Sequence, residues 1–236
     1  MAASGTGYCD PGEAHIESPS VDTRIVLFTV SDGVLQLNLR QSDDGRAALP
    51  CGCLRSTESL DVAAARALAD ETGVRERYLE QLYTISDVAA RDWILTIAYL
   101  GLALTGSSGP PPTTAQWFPI ESLPGLGVLD SRIVEYGLLR LRAKLGYTTI
   151  AFHLLPPAFA LGDLQQVYEA VLGRGLDKRN FRRSIHAAGV LEATGERRRD
   201  GSHRPAQLYR FRTTHDAETY LTPAWAARRT SEESLA

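Results

Sequence analysis

One stretch leaves little freedom in how this chain folds: Gly52 to Val74, GCLRSTESLDVAAARALADETGV. It reads as a loop turning into a single amphipathic helix. Thr57 and Ser59 are candidate N-caps, because a hydroxyl there can accept an otherwise unpaired backbone N–H. Gly73 stands where a left-handed C-terminal cap is needed. Leu60, Ala64 and Leu68 recur every four residues and predict the buried stripe. Ala67, Asp70 and Glu71, spaced i, i+3 and i+4, are expected to point at one spot. Carboxylates clustered beside a glycine loop suit a magnesium–pyrophosphate site, since hard oxygen ligands hold the ion and the ion neutralises phosphate.

The same residues resemble the Nudix hydrolase signature: G, five residues, E, seven residues, then R-E-U-x-E-E-x-G-U with U aliphatic. Gly52, Glu58, Arg66, Leu68, Glu71, Gly73 and Val74 fall in register over the whole span. The resemblance implies an α/β chain, a Nudix α/β/α sandwich. Three positions depart from it. The first metal-binding glutamate is Ala67, the second is shortened to Asp70, and the usual Leu-Pro-Gly-Gly entry reads Leu49-Pro50-Cys51-Gly52. Magnesium asks for near-octahedral geometry at ~2.0–2.1 Å. The expectation is therefore a helix kept for shape, with no catalytic residues, no required cofactor, and magnesium only at a weakened site.

Along the chain, residues 1–20 are expected to be a disordered tail, and 21–146 the degenerate Nudix domain. Arg24 to Val30 and Val34 to Leu39 read as a hairpin turned by Ser31-Asp32-Gly33. Tyr78 to Ile85 and Trp93 to Leu104 are further predicted strands, separated from Trp117-Phe118-Pro119 by the Gly- and Pro-rich loop Thr105 to Thr114. A helix is predicted over 130–144, with Ile133, Leu138, Leu139 and Leu141 as apolar positions. Gly146 to Pro157 is the expected junction, 147–214 a linker and second domain, and 215–236 a trailing tail. The three cysteines, Cys9, Cys51 and Cys53, do not make a disulfide framework. With no basic-then-apolar leader and no run of ~18–20 apolar residues, a cytoplasmic protein is expected, with no membrane partner.

Charge divides the chain unevenly. Residues 1–150 carry 12 Lys and Arg against 18 Asp and Glu, whereas Arg174 to Arg212 carries 11 basic residues against 4 acidic. Just before that basic stretch Leu164, Val167, Tyr168 and Val171 predict one helix, ended by Gly173. Asp177 to Ala188 predicts a second. A β-hairpin follows, Val190 to Thr194 and Ala206 to Phe211, around the loop GERRRDGSHRP. Two short helices and a hairpin make a winged helix-turn-helix. On the second helix Phe181, Ile185 and Ala188 share the packing face, and Arg179, Arg182, Arg183 and His186 share the other. Lys178 and Arg179 occupy the first turn, where the helix dipole disfavours cations. Cations there make sense if that turn enters the phosphate-flanked major groove, with Asn180 able to read adenine. Arg198, Arg199, His203 and Arg204 are the candidate wing contacts.

A degenerate Nudix domain followed by this head resembles the Nudix-related transcriptional regulators of NAD metabolism, the NrtR type. The matching residues include Tyr78 to Tyr83, Trp117-Phe118-Pro119, Leu176 to Arg183, and Leu208 to Phe211. The resemblance implies a homodimeric repressor of NAD biosynthesis or salvage genes. It would bind a palindromic double-stranded operator and release it on sensing ADP-ribose or a related NAD metabolite. Candidate ligand contacts are Arg40 and Arg46 for pyrophosphate, Trp117 for adenine, and Glu58 on the loop before the helix. The alternative is an active diphosphatase cleaving ADP-ribose or another nucleoside diphosphate, with Glu58, Asp70 and Glu71 holding magnesium.

Overall fold

The computed structural model describes residues 20–42, 45–74, 78–87, 94–104, 115–199 and 205–212. The first half is built on β1 (Ser20–Ser31), β2 (Val34–Gln41), β3 (Ala47–Ala48) and β4 (Cys51–Cys53), then α1 (Leu60–Thr72), β5 (Tyr78–Asp87), β6 (Ile94–Leu102), β7 (Gln116–Pro119) and α2 (Val128–Leu145). The strands form one mixed sheet in the order β3-β2-β1-β6-β5, with β4 also paired to β1 and β7 to β2. β1 runs parallel to β6 and antiparallel to β2 and β4.

The central strand explains the layers. Its run Ile25-Val26-Leu27-Phe28 is apolar throughout, as a strand covered on both faces must be. Ile25 and Leu27 pack with Ala64, Leu68 and Tyr99 on the α1 side. Val26 and Phe28 pack with Leu37, Leu100, Ile133 and Leu141 on the α2 side. The sandwich read from the signature is thus present. Asp32 and Gly33 both have positive φ, 51° and 74°, which a two-residue hairpin needs to match the twist of its strands. Ser20, assigned to the tail from sequence, belongs to β1; the rest of that expected tail lies outside the described residues. Leu139, expected to help fill the core, is 64% exposed.

The second half contains β8 (Phe159–Ala160), α3 (Leu161–Leu172), α4 (Lys178–Ala187), β9 (Leu191–Arg198) and β10 (Ala206–Phe211), with a sheet ordered β8-β10-β9. This is a winged helix. Leu164, Val167, Tyr168 and Val171 of α3 are buried against Phe181 and Ile185 of α4, and the Tyr168 and Phe181 rings meet edge to face at 5.3 Å. β8 was not legible in the sequence, being only two residues long. β9 extends to Arg198, so four residues assigned to the wing loop are strand. Ala188, expected on the packing face, is the exposed C-cap of α4.

The expected junction, Gly146 to Pro157, is not a loose connector. Ile150 to Leu154 forms a short 3-10 turn in which Ile150, Ala151, Phe152 and Leu154 are buried. Phe152 stacks on Phe211 at 4.6 Å and lies 5.5 Å from Phe159. The apolar core therefore runs without interruption from the α2 side of the first sheet into the winged helix. Polar ties sit beside it. Glu80 accepts from Arg140 at 2.8 Å and pairs with buried Lys144, while Tyr78 donates to Glu80. Burial and the adjacent carboxylate push the Tyr78 hydroxyl up to about 12.

Candidate functional site

Three groups of residues could carry function: the loop and helix around α1, the end of the sheet at β2 and β7, and the outer face of α4. Around α1, Ser59 is the N-cap and accepts from the Val62 amide, and Gly73 is the left-handed C-cap with φ 66°. The carboxylate just before the N-cap is already engaged. Glu58 accepts from Arg66 at 2.6 and 3.0 Å and from the Arg55 amide at 2.8 Å. Hydrogen bonding from the Arg66 guanidinium pulls the Glu58 carboxyl down to about 2. Arg66 also reaches the Cys53 carbonyl at 2.9 Å and lies 3.7 Å from Asp70.

The expectation that Ala67, Asp70 and Glu71 converge on one spot is not met. Ala67 is 1% exposed and packs into the core. It also closes on the loop, for a Cβ placed at Gly52 would lie 2.7 Å from the Ala67 Cβ. Asp70 points to solvent, 61% exposed, and Glu71 pairs with Arg40 Nε at 3.2 Å. Arg40 in turn donates to the Leu49 carbonyl at 3.2 Å and to Cys51 Sγ at 3.0 Å. Burial outweighs these arginine contacts and holds the Cys51 thiol above its ordinary value. Buried Asp130 pairs with Arg24 and accepts from the Leu49 amide at 3.0 Å, which fixes the entry to the loop.

At the end of the sheet is a cavity of about 240 Å³ lined by Leu39, Arg40, Gln41, Gly45, Ala47, Gln116, Phe118 and Pro124. Two glutamines, an arginine and one aromatic residue are among its lining. Of the residues singled out from sequence, only Arg40 lines it. Trp117 packs on the opposite, α1-side cluster, so its neighbour Phe118 is the aromatic facing the cavity. Arg46 is exposed, between the cavity residues Gly45 and Ala47. Strand alternation was the signal available for this: Leu39 and Gln41, and Gln116 and Phe118, must share a face that excludes Trp117. Asn38, opposite Trp117 in register, is buried and its Oδ1 lacks a hydrogen-bond partner among the described residues.

On α4, Asp177 is the N-cap, accepting from the Asn180 amide at 2.8 Å. Phe181 and Ile185 anchor the helix, which leaves Lys178, Arg179, Asn180, Arg182, Arg183 and His186 exposed. Arg183 donates to Asn180 Oδ1 at 3.1 Å. No ion pair involves Lys178, Arg179, Arg182 or Arg183 among the described residues. The wing differs from expectation. Arg198 is not a free contact, because both its terminal nitrogens bond the two oxygens of Asp163 at 2.8 Å. Asp163 also accepts from the Ala160 amide at 2.9 Å, so the pair ties β9 to the first turn of α3. Burial opposes ionisation of Asp163, but these donors prevail and hold it below the usual carboxylate range. The sequence could not show a pair separated by 35 residues. Arg199 is exposed, and His203 and Arg204 lie outside the described residues.

A sheet flanked by α1 and α2 and continued into a winged helix places the chain among Nudix-fold proteins carrying a nucleic-acid-binding type of head. Residues 20–136 match the NUDIX domain and residues 151–211 the NrtR DNA-binding winged helix domain. The chain is 32% identical over 207 residues, 82% of each protein, to the ADPR responsive transcriptional repressor NtrR of Acinetobacter baylyi. It belongs to the NrtR family. The crystal structure of Shewanella oneidensis NrtR complexed with a 27mer DNA superposes with a TM-score of 0.74 at 30% identity, covering 81% of this chain and 93% of that one. A MutT/nudix family protein from Enterococcus faecalis shares the fold, with a TM-score of 0.69 at 20% identity, covering 84% of this chain and 88% of that one.

Proposed function

We propose that this protein is a transcriptional repressor of NAD biosynthesis or salvage genes, which grips a palindromic operator through α4 and lets go on binding ADP-ribose. The observation that carries the reading is the outer face of α4, where four cationic side chains stand exposed without an acidic partner among the described residues. Unpaired arginines on a rigid helix are free to meet phosphates and guanine edges. Two such helices, one per subunit of a homodimer in the cytoplasm, would address half-sites ~34–36 Å apart or a multiple of that spacing.

The effector is assigned to the Nudix domain. The cavity beside Arg40 offers an aromatic face and amides for a base, with Arg40 at its rim for pyrophosphate. Release of the operator requires that ADP-ribose prefer one arrangement of the two domains over another. A route for that preference exists, because α3 packs directly on β1 and β2.

In this reading the protein does not hydrolyse its effector. Ala67 supplies no ligand, Glu58 and Glu71 are each paired with an arginine of the same chain, and Asp70 is turned to solvent. A single open carboxylate is a poor donor set for octahedral magnesium, which binds through one or two carboxylates plus substrate phosphates. The test is a gel shift with the promoter upstream of NAD-synthesis genes, titrated with ADP-ribose in the presence of magnesium. The expected result is a shifted band lost on adding ADP-ribose, with the nucleotide recovered intact. Turnover at ordinary enzymatic rates, without a shifted band, would select the diphosphatase reading instead.

A further inference from the structure

We propose that Cys51 and Cys53 form an oxidisable dithiol on the effector site: a hydroperoxide closes them into a disulfide, and closure frees Arg40 from the thiol that holds it. The consequence for the effector rests on the reading of the cavity beside Arg40 as the ADP-ribose site.

One three-residue strand places both thiols. β4 pairs antiparallel with β1, Cys51 opposite Arg24 and Cys53 opposite Asp22. Residues two apart on a strand share a face, so the two side chains leave the backbone on the same side. Gly52 between them adds no side chain and bends more readily than other residues. Two steps of a strand span ~6.4–6.8 Å between Cα atoms, at the upper edge of the ~4.4–6.8 Å that a disulfide bridges. Closing the bond therefore draws β4 together at Gly52.

The two thiols differ in the way such a pair requires. Cys53 is exposed, whereas Cys51 is half-buried. Burial holds the Cys51 thiol above its ordinary value, so it is not the first to react. Its sulfur accepts from Arg40 Nη2 at 3.0 Å and has Arg24 beside it in register, and these two guanidiniums stabilise its anion when it does. The Cys53 thiolate attacks one peroxide oxygen, the O–O bond breaks, and the other oxygen takes a proton and leaves as water. The Cys51 thiolate then attacks the Cys53 sulfenic sulfur, the S–O bond breaks, and a second water departs. Two thiols are oxidised to one disulfide and the peroxide is reduced to two waters. Disulfides of reducing compartments are characteristically transient and redox-sensing.

A disulfide sulfur carries no charge to hold a guanidinium. Arg40 is left with the Leu49 and Gln41 carbonyls and Glu71, while the loop entry it braces moves with β4. Arg40 lines the cavity, so oxidised protein should grip ADP-ribose less well and stay on the operator where reduced protein lets go.

The test uses the full-length chain carrying Cys9→Ser, which removes the third thiol. After treatment with hydrogen peroxide its intact mass should fall by two hydrogens, and the peptide holding Cys51 and Cys53 should carry the loss. Calorimetry should then show ADP-ribose binding at least ~10-fold weaker, the worth of one charge-assisted hydrogen bond, with dithiothreitol restoring it. Adding Cys53→Ser removes the exposed thiol, and that chain should lose neither mass nor affinity on the same treatment. A Cys9→Ser chain that keeps its mass or gains oxygen, or an oxidised chain that binds ADP-ribose as tightly as the reduced one, overturns the proposal. A response that survives Cys53→Ser overturns it too. Failure of the reduced protein to bind ADP-ribose sinks the effector reading instead, and the mass alone then decides the dithiol.

Discussion

The two halves of this molecule dispose of their charges in opposite ways. Around α1, Glu58, Asp70 and Glu71 lie next to Arg66 or Arg40, so opposite charges largely satisfy each other. On α4, Lys178, Arg179, Arg182 and Arg183 share one exposed face with no acid to meet them among the described residues. A site built for a divalent cation leaves its carboxylates open, and a site built for an anion leaves its cations open. By that criterion Glu58 and Glu71 are engaged, Asp70 stays largely exposed, and the cations of the winged helix are open. The wing adds a warning: Arg198 lies in the same basic stretch, yet it is consumed by Asp163. A count of positive residues overstates the free surface.

The comparison can be broken most forcefully through the anchor that presents α4. Phe181 is 1% exposed beneath the exposed arginines. Phe181→Ala should cost about 3–5 kcal/mol of stability by thermal or urea unfolding. Operator binding should fall with it, whereas a helix indifferent to this change would not be the rigid mount described. Next in size, Arg182→Ala or Arg183→Ala should weaken operator binding by ~1–3 kcal/mol where the side chain reads a base, with the fold unchanged. Of the wing arginines, Arg198→Ala should behave differently, loosening β9 from α3 and changing melting temperature more than the salt dependence of DNA binding.

On the Nudix side, Ala67→Glu restores the missing acid of the Nudix pattern but should not restore hydrolysis. The new side chain would be forced into the contact with Gly52, and overpacking of this kind costs about 1–3 kcal/mol. A lower melting temperature without ADP-ribose turnover is expected. Glu58 gives the smallest but sharpest reading. Its carboxyl is depressed to about 2 by Arg66, against ~4.3 for a free glutamate. The stabilising contribution is therefore fully present above ~4.3 and fades as pH falls through about 2. Carboxyl NMR should show that low midpoint, and Arg66→Ala should return it toward the free value.

Local patterns made much of this legible in the sequence. The α1 register followed from seven spaced residues, and the Asp32-Gly33 turn from the conformations those residues tolerate. The α3 stripe followed from helical period. Features that depend on residues far apart in the chain were hidden. The Arg198–Asp163 pair, the Arg40–Glu71 pair and the packing of Phe152 on Phe211 have no local signature. Trp117 and Phe118 look equally suited to face a ligand until the strand register puts them on opposite faces. Gly146 to Pro157 looked like a connector because its turn is short and irregular, although its apolar residues join two domains into one core.

The most direct measurement follows operator DNA and nucleotide in the same tube. Full-length protein, labelled promoter fragment, magnesium and ADP-ribose are combined, with DNA occupancy read by anisotropy and nucleotide composition by chromatography. The predicted result is that DNA dissociates as ADP-ribose rises while the ADP-ribose stays whole. Steady conversion to AMP and ribose phosphate, with DNA never bound, would contradict it.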